Sequence, residues 1–147
     1  MDYNDLKVKE ASQMVQSFVL INNKLISYTR KNAESLGLTL TQMGILNSIY
    51  SCPAITFKEL TDKISIPKST VSVSLDELVN IGLVKRVENP KDRRKINLIL
   101  TDKGNELSKQ SIQNSSSYFA MLKALEKLSS EDIKNLFDIH EKLLQLL

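Results

Sequence analysis

The chain has 147 residues, 41% hydrophobic and 25% charged, a balance that suits one globular domain and argues against a disordered chain. No apolar run approaches the roughly 18 residues of a membrane span. The opening MDYNDLKVKE carries charge where a secretory leader needs an apolar stretch, so a soluble, cytoplasmic protein is expected.

The net charge of +3 is small, but it is unevenly placed. The segment Thr56 to Lys103 holds ten Lys+Arg against seven Asp+Glu, and the rest of the chain holds ten of each. Clustered basic charge attracts phosphate, although an ordinary solvated face carries similar charge.

From Asp5 to about Ser35, the residues Ala11, Met14, Val15, Phe18, Val19, Ile21, Leu25 and Ile26 recur at helical spacing, and Gly37 supplies a stop. Thr39 with Gln42 reads as a capping box for a second helix, with Met43, Leu46, Ile49 and Tyr50 inward. Gly44 inside that helix predicts a close approach by a neighbour.

Pro53 breaks the chain, and Ala54-Ile55 could add a very short strand. Thr56 with Glu59 forms a second capping box, opening a helix to Ile64 that turns Phe57, Leu60 and Ile64 inward. Pro67 suits the first position of the next helix, which runs to Ile81 and stops at Gly82.

Leu83 to Glu88 and Ile96 to Leu100 read as short strands joined by Asn89-Pro90-Lys91-Asp92. Thr101-Asp102 then caps a helix predicted to reach Leu125, and Ser129 with Asp132 caps the last one. A helix pair followed by a basic-tipped ribbon is a winged helix-turn-helix. The fold expected is therefore mainly α, with a small β-hairpin wing and long terminal helices.

On a helical wheel, Val71, Leu75, Leu78 and Val79 share one face of the second short helix, and Ser69, Thr70, Val73, Asp76, Glu77 and Asn80 share the other. Recognition helices meet base edges through their N-terminal residues. Lys68, Ser69, Thr70, Ser72 and Val73 are thus the candidates for DNA: hydroxyls for phosphate or bases, and Val73 for a thymine methyl. Helix capping, solvation and flank packing are the ordinary roles of such residues.

The hairpin tip adds Lys91, Arg93, Arg94 and Lys95, suited to a narrow minor groove. Asp92 is expected to pair with one arginine and stabilise the wing, leaving the other for DNA. The residue types do not choose between them.

The end segments carry apolar stripes that this central reader does not need. Phe18, Tyr118, Leu136, Phe137, His140, Leu143, Leu144 and Leu147 are the expected dimerisation residues. A second copy would cover them and match the two-fold symmetry of paired half-sites.

Ile66-Pro67-Lys68-Ser69-Thr70-Val71-Ser72, Ile81-Gly82-Leu83-Val84, Arg86, Asp92-Arg93-Arg94 and Leu100-Thr101-Asp102-Lys103-Gly104 resemble the MarR family of bacterial regulators over most of the chain. That resemblance implies a homodimer joined by its terminal helices. It also implies a palindromic double-stranded DNA operator, usual action as a repressor, and release by a small aromatic or anionic effector. One MarR-like domain is expected over 1–147, with a DNA-binding region at 36–104 and a dimerisation region at 1–35 and 105–147. An effector crevice is expected between the helix at 39–50 and the long helices.

Other inputs fit less well. Oxidant sensing in the family usually uses a cysteine in the N-terminal helix; here the single Cys52 lies after the second helix and is expected to be a small packed residue. Redox sensing through Cys52 is one alternative, and a winged helix used for protein contact is another. One histidine and one distant thiol make no metal site. Nothing supplies a nucleophile with an oriented base or a phosphate loop, so neither an enzyme nor a cofactor is expected.

Overall fold

In the computed structural model, which describes residues 5–90 and 92–147, side chains that accept otherwise orphan amides set most helix starts. α1 (Leu6–Ser35) opens on Asp5, whose carboxylate accepts the Lys7 amide at 2.9 Å. It ends before Gly37, where φ is +69°. α2 (Leu40–Ser51), α3 (Phe57–Lys63) and α7 (Ser130–Leu146) each begin with a complete capping box: Thr39 with Gln42, Thr56 with Glu59, Ser129 with Asp132.

α4 (Lys68–Asn80) differs. Pro67 is its N-cap, one position earlier than expected, and no side chain caps the first turn. The chain leaves α4 through Gly82 at φ +74°. β1 (Val84–Glu88) and β2 (Ile96–Leu100) then pair antiparallel, Val84 opposite Leu100 and Glu88 opposite Ile96. The expected strand at Ala54-Ile55 is reduced to one bridge between Thr56 and Asn97. Ala54 at φ +63° turns the chain too sharply for a longer ladder.

The single helix predicted from Thr101 to Leu125 is two helices, α5 (Asp102–Gln113) and α6 (Ser116–Leu125). Extended backbone at Ser115 separates them. The run Asn114-Ser115-Ser116-Ser117 explains the break, since these side chains compete with the helix for backbone hydrogen bonds.

The core gathers Leu46 and Ile49 of α2, Leu60 of α3, Val71, Leu75 and Leu78 of α4, and Leu83, Val84 and Leu98 of the hairpin, all at most 1% exposed. Each such side chain contributes about 1.5–3 kcal/mol through burial. Phe57, Ile64 and Val79 pack against this cluster partly buried.

Two glycines repay attention for opposite reasons. A Cβ on Gly104 would lie 2.1 Å from the Leu83 carbonyl oxygen, so only glycine fits. The Thr101 amide donates to that carbonyl at 3.0 Å and its hydroxyl donates to Gly82 O at 2.8 Å. Thr101 and Gly104 together clamp the end of the hairpin onto the end of α4. A Cβ on Gly44 would meet nothing within 4 Å, so among the described residues the predicted close approach is absent.

A buried polar seam joins α1, α5 and α2. The Asn32 side-chain amide donates to the Ser111 carbonyl at 2.8 Å, and the Ser111 hydroxyl donates to Asn47 Oδ1 at 2.7 Å. No described helix is long and apolar enough to cross a membrane.

Candidate nucleic-acid interface

With Val71, Leu75 and Leu78 fully buried, α4 has only one orientation available, and its opposite face is turned to solvent. Lys68, Ser69, Thr70 and Val73 are exposed there, and Ser72 is half-buried on the flank. Val73 is 60% exposed, an apolar side chain turned mostly to solvent. Because Pro67 offers no side-chain cap, the first-turn amides of α4 retain donor capacity toward an anion.

The wing tip is a built turn. The Asn89 amide donates to Lys95 O at 2.9 Å, the Asp92 amide to Asn89 Oδ1 at 3.1 Å, and the Lys95 amide to Asp92 O at 2.9 Å. The Asp92 carboxylate also accepts Arg94 Nε and the Arg94 amide, both at 3.2 Å, with Lys95 Nζ at 4.0 Å. Arg93 is exposed and makes no ion pair among the described residues. The choice left open by residue type is thus made by geometry: Arg94 is the arginine on Asp92. Lys91 lies outside the described residues.

Two contacts were missed by sequence reading. Arg86 of β1 pairs with Asp76 of α4 at 2.5 Å. The Gln42 side chain, already in the α2 capping box, donates to Glu77 Oε2 at 2.9 Å. Neither pairing has a local spacing signal, because each depends on how separate elements dock. Ser74, also passed over, is buried beside Leu75 and Leu78.

The expected dimerisation residues form an exposed apolar surface. Phe18, Tyr118, Leu136, Phe137, Leu144 and Leu147 are solvent-facing, and His140 and Leu143 are half-buried. The His140 ring lies 5.6 Å from that of Phe18 in the same chain, so α7 already touches α1.

Cys52 is exposed, which corrects the expectation of a packed residue. It follows α2 on an irregular turn, where Lys63 Nζ approaches its sulfur at 3.0 Å. That hydrogen bond holds the thiol below its ordinary pKa. Among the described residues, no group of three or more His, Cys, Asp or Glu is placed to hold a metal ion. A cavity of about 330 Å³ lies between α1 and α6, lined by Leu25, Ile26, Thr29, Tyr118 and Met121 among others. α2, the expected third wall, does not line it.

The chain is similar to known proteins. A MarR family model matches residues 36–95, the span from the end of α1 to the wing tip. The multiple antibiotic-resistance repressor MarR of Listeria monocytogenes is similar at 32% identity, covering 95% of this chain and 97% of that one, with a TM-score of 0.66. The apo form of Escherichia coli MarR superposes with a TM-score of 0.72 at 26% identity, over 88% of this chain and 95% of that one. The Bacillus subtilis transcriptional repressor MdtR is 29% identical over 101 residues, 66% of this chain and 65% of its own length. In sequence, in the docking of hairpin on helix pair, and along nearly its full length, the chain belongs to the MarR family of winged-helix transcriptional regulators.

Proposed function

We propose that the protein is a homodimeric, sequence-specific DNA-binding repressor, with a reader spanning 36–104 and a dimerisation region formed by 1–35 and 105–147. The observation that carries this reading is the pairing of an outward, hydroxyl-bearing α4 N-terminus with an arginine-tipped wing, both anchored to one core. Lys68, Ser69, Thr70, Ser72 and Val73 enter a major groove, while the wing, with Lys91, Arg93, Arg94 and Lys95, approaches the adjacent minor groove. Asp92 holds the tip and Arg94 in place, and Arg93 reaches deepest.

Phe18, Tyr118, Leu136, Phe137, His140, Leu143, Leu144 and Leu147 pack against a second copy, which sets the two recognition helices about one DNA turn apart, ~34 Å. The operator is then palindromic. A small aromatic or anionic effector in the crevice between α1 and α6 would shift the dimer between two spacings, provided it binds one of them better.

The test is a salt series of fluorescence anisotropy on duplex DNA from upstream of the protein's own coding region, beside a shuffled duplex. Native DNA should bind more tightly, and binding should weaken as salt rises. Replacing Arg93 and Arg94 together by alanine should cost on the order of 100-fold. Equal affinity for both duplexes, or an unaffected double variant, would contradict the reading.

A further inference from the structure

The exposed face of α4 carries a problem that the reader must solve. Asp76 lies seven residues after Ser69, two turns along the same stripe. That is about 10 Å further along the axis, about one Debye length at 0.1 M salt and more than one only at higher ionic strength. A bare carboxylate there would face the polyanion that Ser69 and Val73 approach. The next residue, Glu77, is acidic as well.

Both acids are drawn aside by other elements. Arg86 from β1 holds the Asp76 carboxylate at 2.5 Å, and Gln42 from α2 donates to Glu77 at 2.9 Å. Neither member of the Asp76–Arg86 pair is buried, with side chains 52% and 43% exposed. Such a pair adds little to folding, because solvent screens an exposed ion pair and ordering its side chains offsets the attraction. Its consequence is for a partner that brings negative charge to this face.

We propose that Arg86 is a positioning residue for DNA binding: it holds the Asp76 carboxylate against the wing and cancels its charge on the face that α4 turns to the duplex. The inference rests on the DNA-binding reading and adds to it a division of labour among the arginines. Arg93 and Arg94 serve the DNA at the tip, whereas Arg86 serves the recognition helix. An uncompensated like charge at an interface lowers affinity by on the order of tenfold or more, so the effect is large enough to measure.

The experiment compares the full chain with Arg86→Ala, Asp76→Asn and the double variant on the upstream duplex and on a shuffled duplex, at low salt. Thermal unfolding of each variant runs alongside. Arg86→Ala should lose about tenfold in affinity on both duplexes with little change in melting temperature. Asp76→Asn should bind at least as tightly as the natural chain. The double variant should recover most of the loss, because the charge that needed a partner is gone.

A double variant as weak as Arg86→Ala, with the salt slope reduced by about one, would make Arg86 a direct phosphate contact and overturn the proposal. An Asp76→Asn chain as weak as Arg86→Ala would overturn it in favour of a purely geometric tie. Charge rescue on both duplexes without preference for either would uphold the role of Arg86 while contradicting sequence-specific reading. Absence of binding to any duplex would overturn both.

Discussion

The reader and the terminal helices solve the burial problem differently. Apart from Ala33 at the end of α1, the buried hydrophobic residues run from Leu38 to Leu100, and they come from α2, α3, α4, the hairpin and the links between them. α6 and α7 contain no buried residue, and most of α1 is exposed along its length. Yet these helices carry large exposed apolar side chains, including Phe18, Tyr118, Phe119 and Phe137. The centre is closed by its own side chains and the ends are not. Exposed apolar surface on this scale marks an interaction face. On the proposed function, one chain's fold suffices to present the DNA-reading surface, whereas the spacing of two readers depends on what the ends meet.

A pair of leucines sharpens that contrast. Leu75→Ala removes a side chain with no exposure in the core and should destabilise the chain by about 2–5 kcal/mol, seen as a lower urea midpoint. Leu144→Ala removes one that is 78% exposed within the chain. In a lone chain it should change unfolding by no more than about 0.5 kcal/mol. In a dimer it should weaken self-association without harming the reader, measured by sedimentation equilibrium. Equal unfolding losses for the two variants at low concentration would erase the distinction.

The smallest effect tests the inside of the reader. The Thr56 backbone amide, and then its hydroxyl, hold the Glu59 carboxyl below its usual pKa. The lowered folded value gives a stabilising contribution present above the unfolded pKa and lost as pH falls through the folded one. An NMR titration of Glu59 should place its midpoint below that of a model glutamate. Thr56→Ala should raise that midpoint and cost about 1 kcal/mol of stability. An unchanged midpoint would show that the capping box does not persist in solution.

Legibility followed the range of the interactions. Three capping boxes, both glycine stops and the buried stripe of α4 were readable because each is written within a few residues. Local chemistry also decides the break at Asn114-Ser115, where the single helix expected from Thr101 to Leu125 divides in two. Arg86 on Asp76 and Gln42 on Glu77 were invisible because they depend on docking between elements. The exposure of Cys52 was hidden for another reason: small apolar residue types are usually buried, and only the turn at Ala54 with the arrival of Lys63 leaves this thiol outside. The requirement for glycine at position 104 becomes physical only once the Leu83 carbonyl is seen against it.

The most direct test of the whole account is the mass of the chain in solution at micromolar concentration, by sedimentation equilibrium. A species of twice the 16.6 kDa chain is expected, because a second copy would cover the apolar surface that α1, α6 and α7 leave exposed within one chain. A stable monomer at that concentration would contradict it, leaving those faces without their partner and the two recognition helices without a fixed spacing.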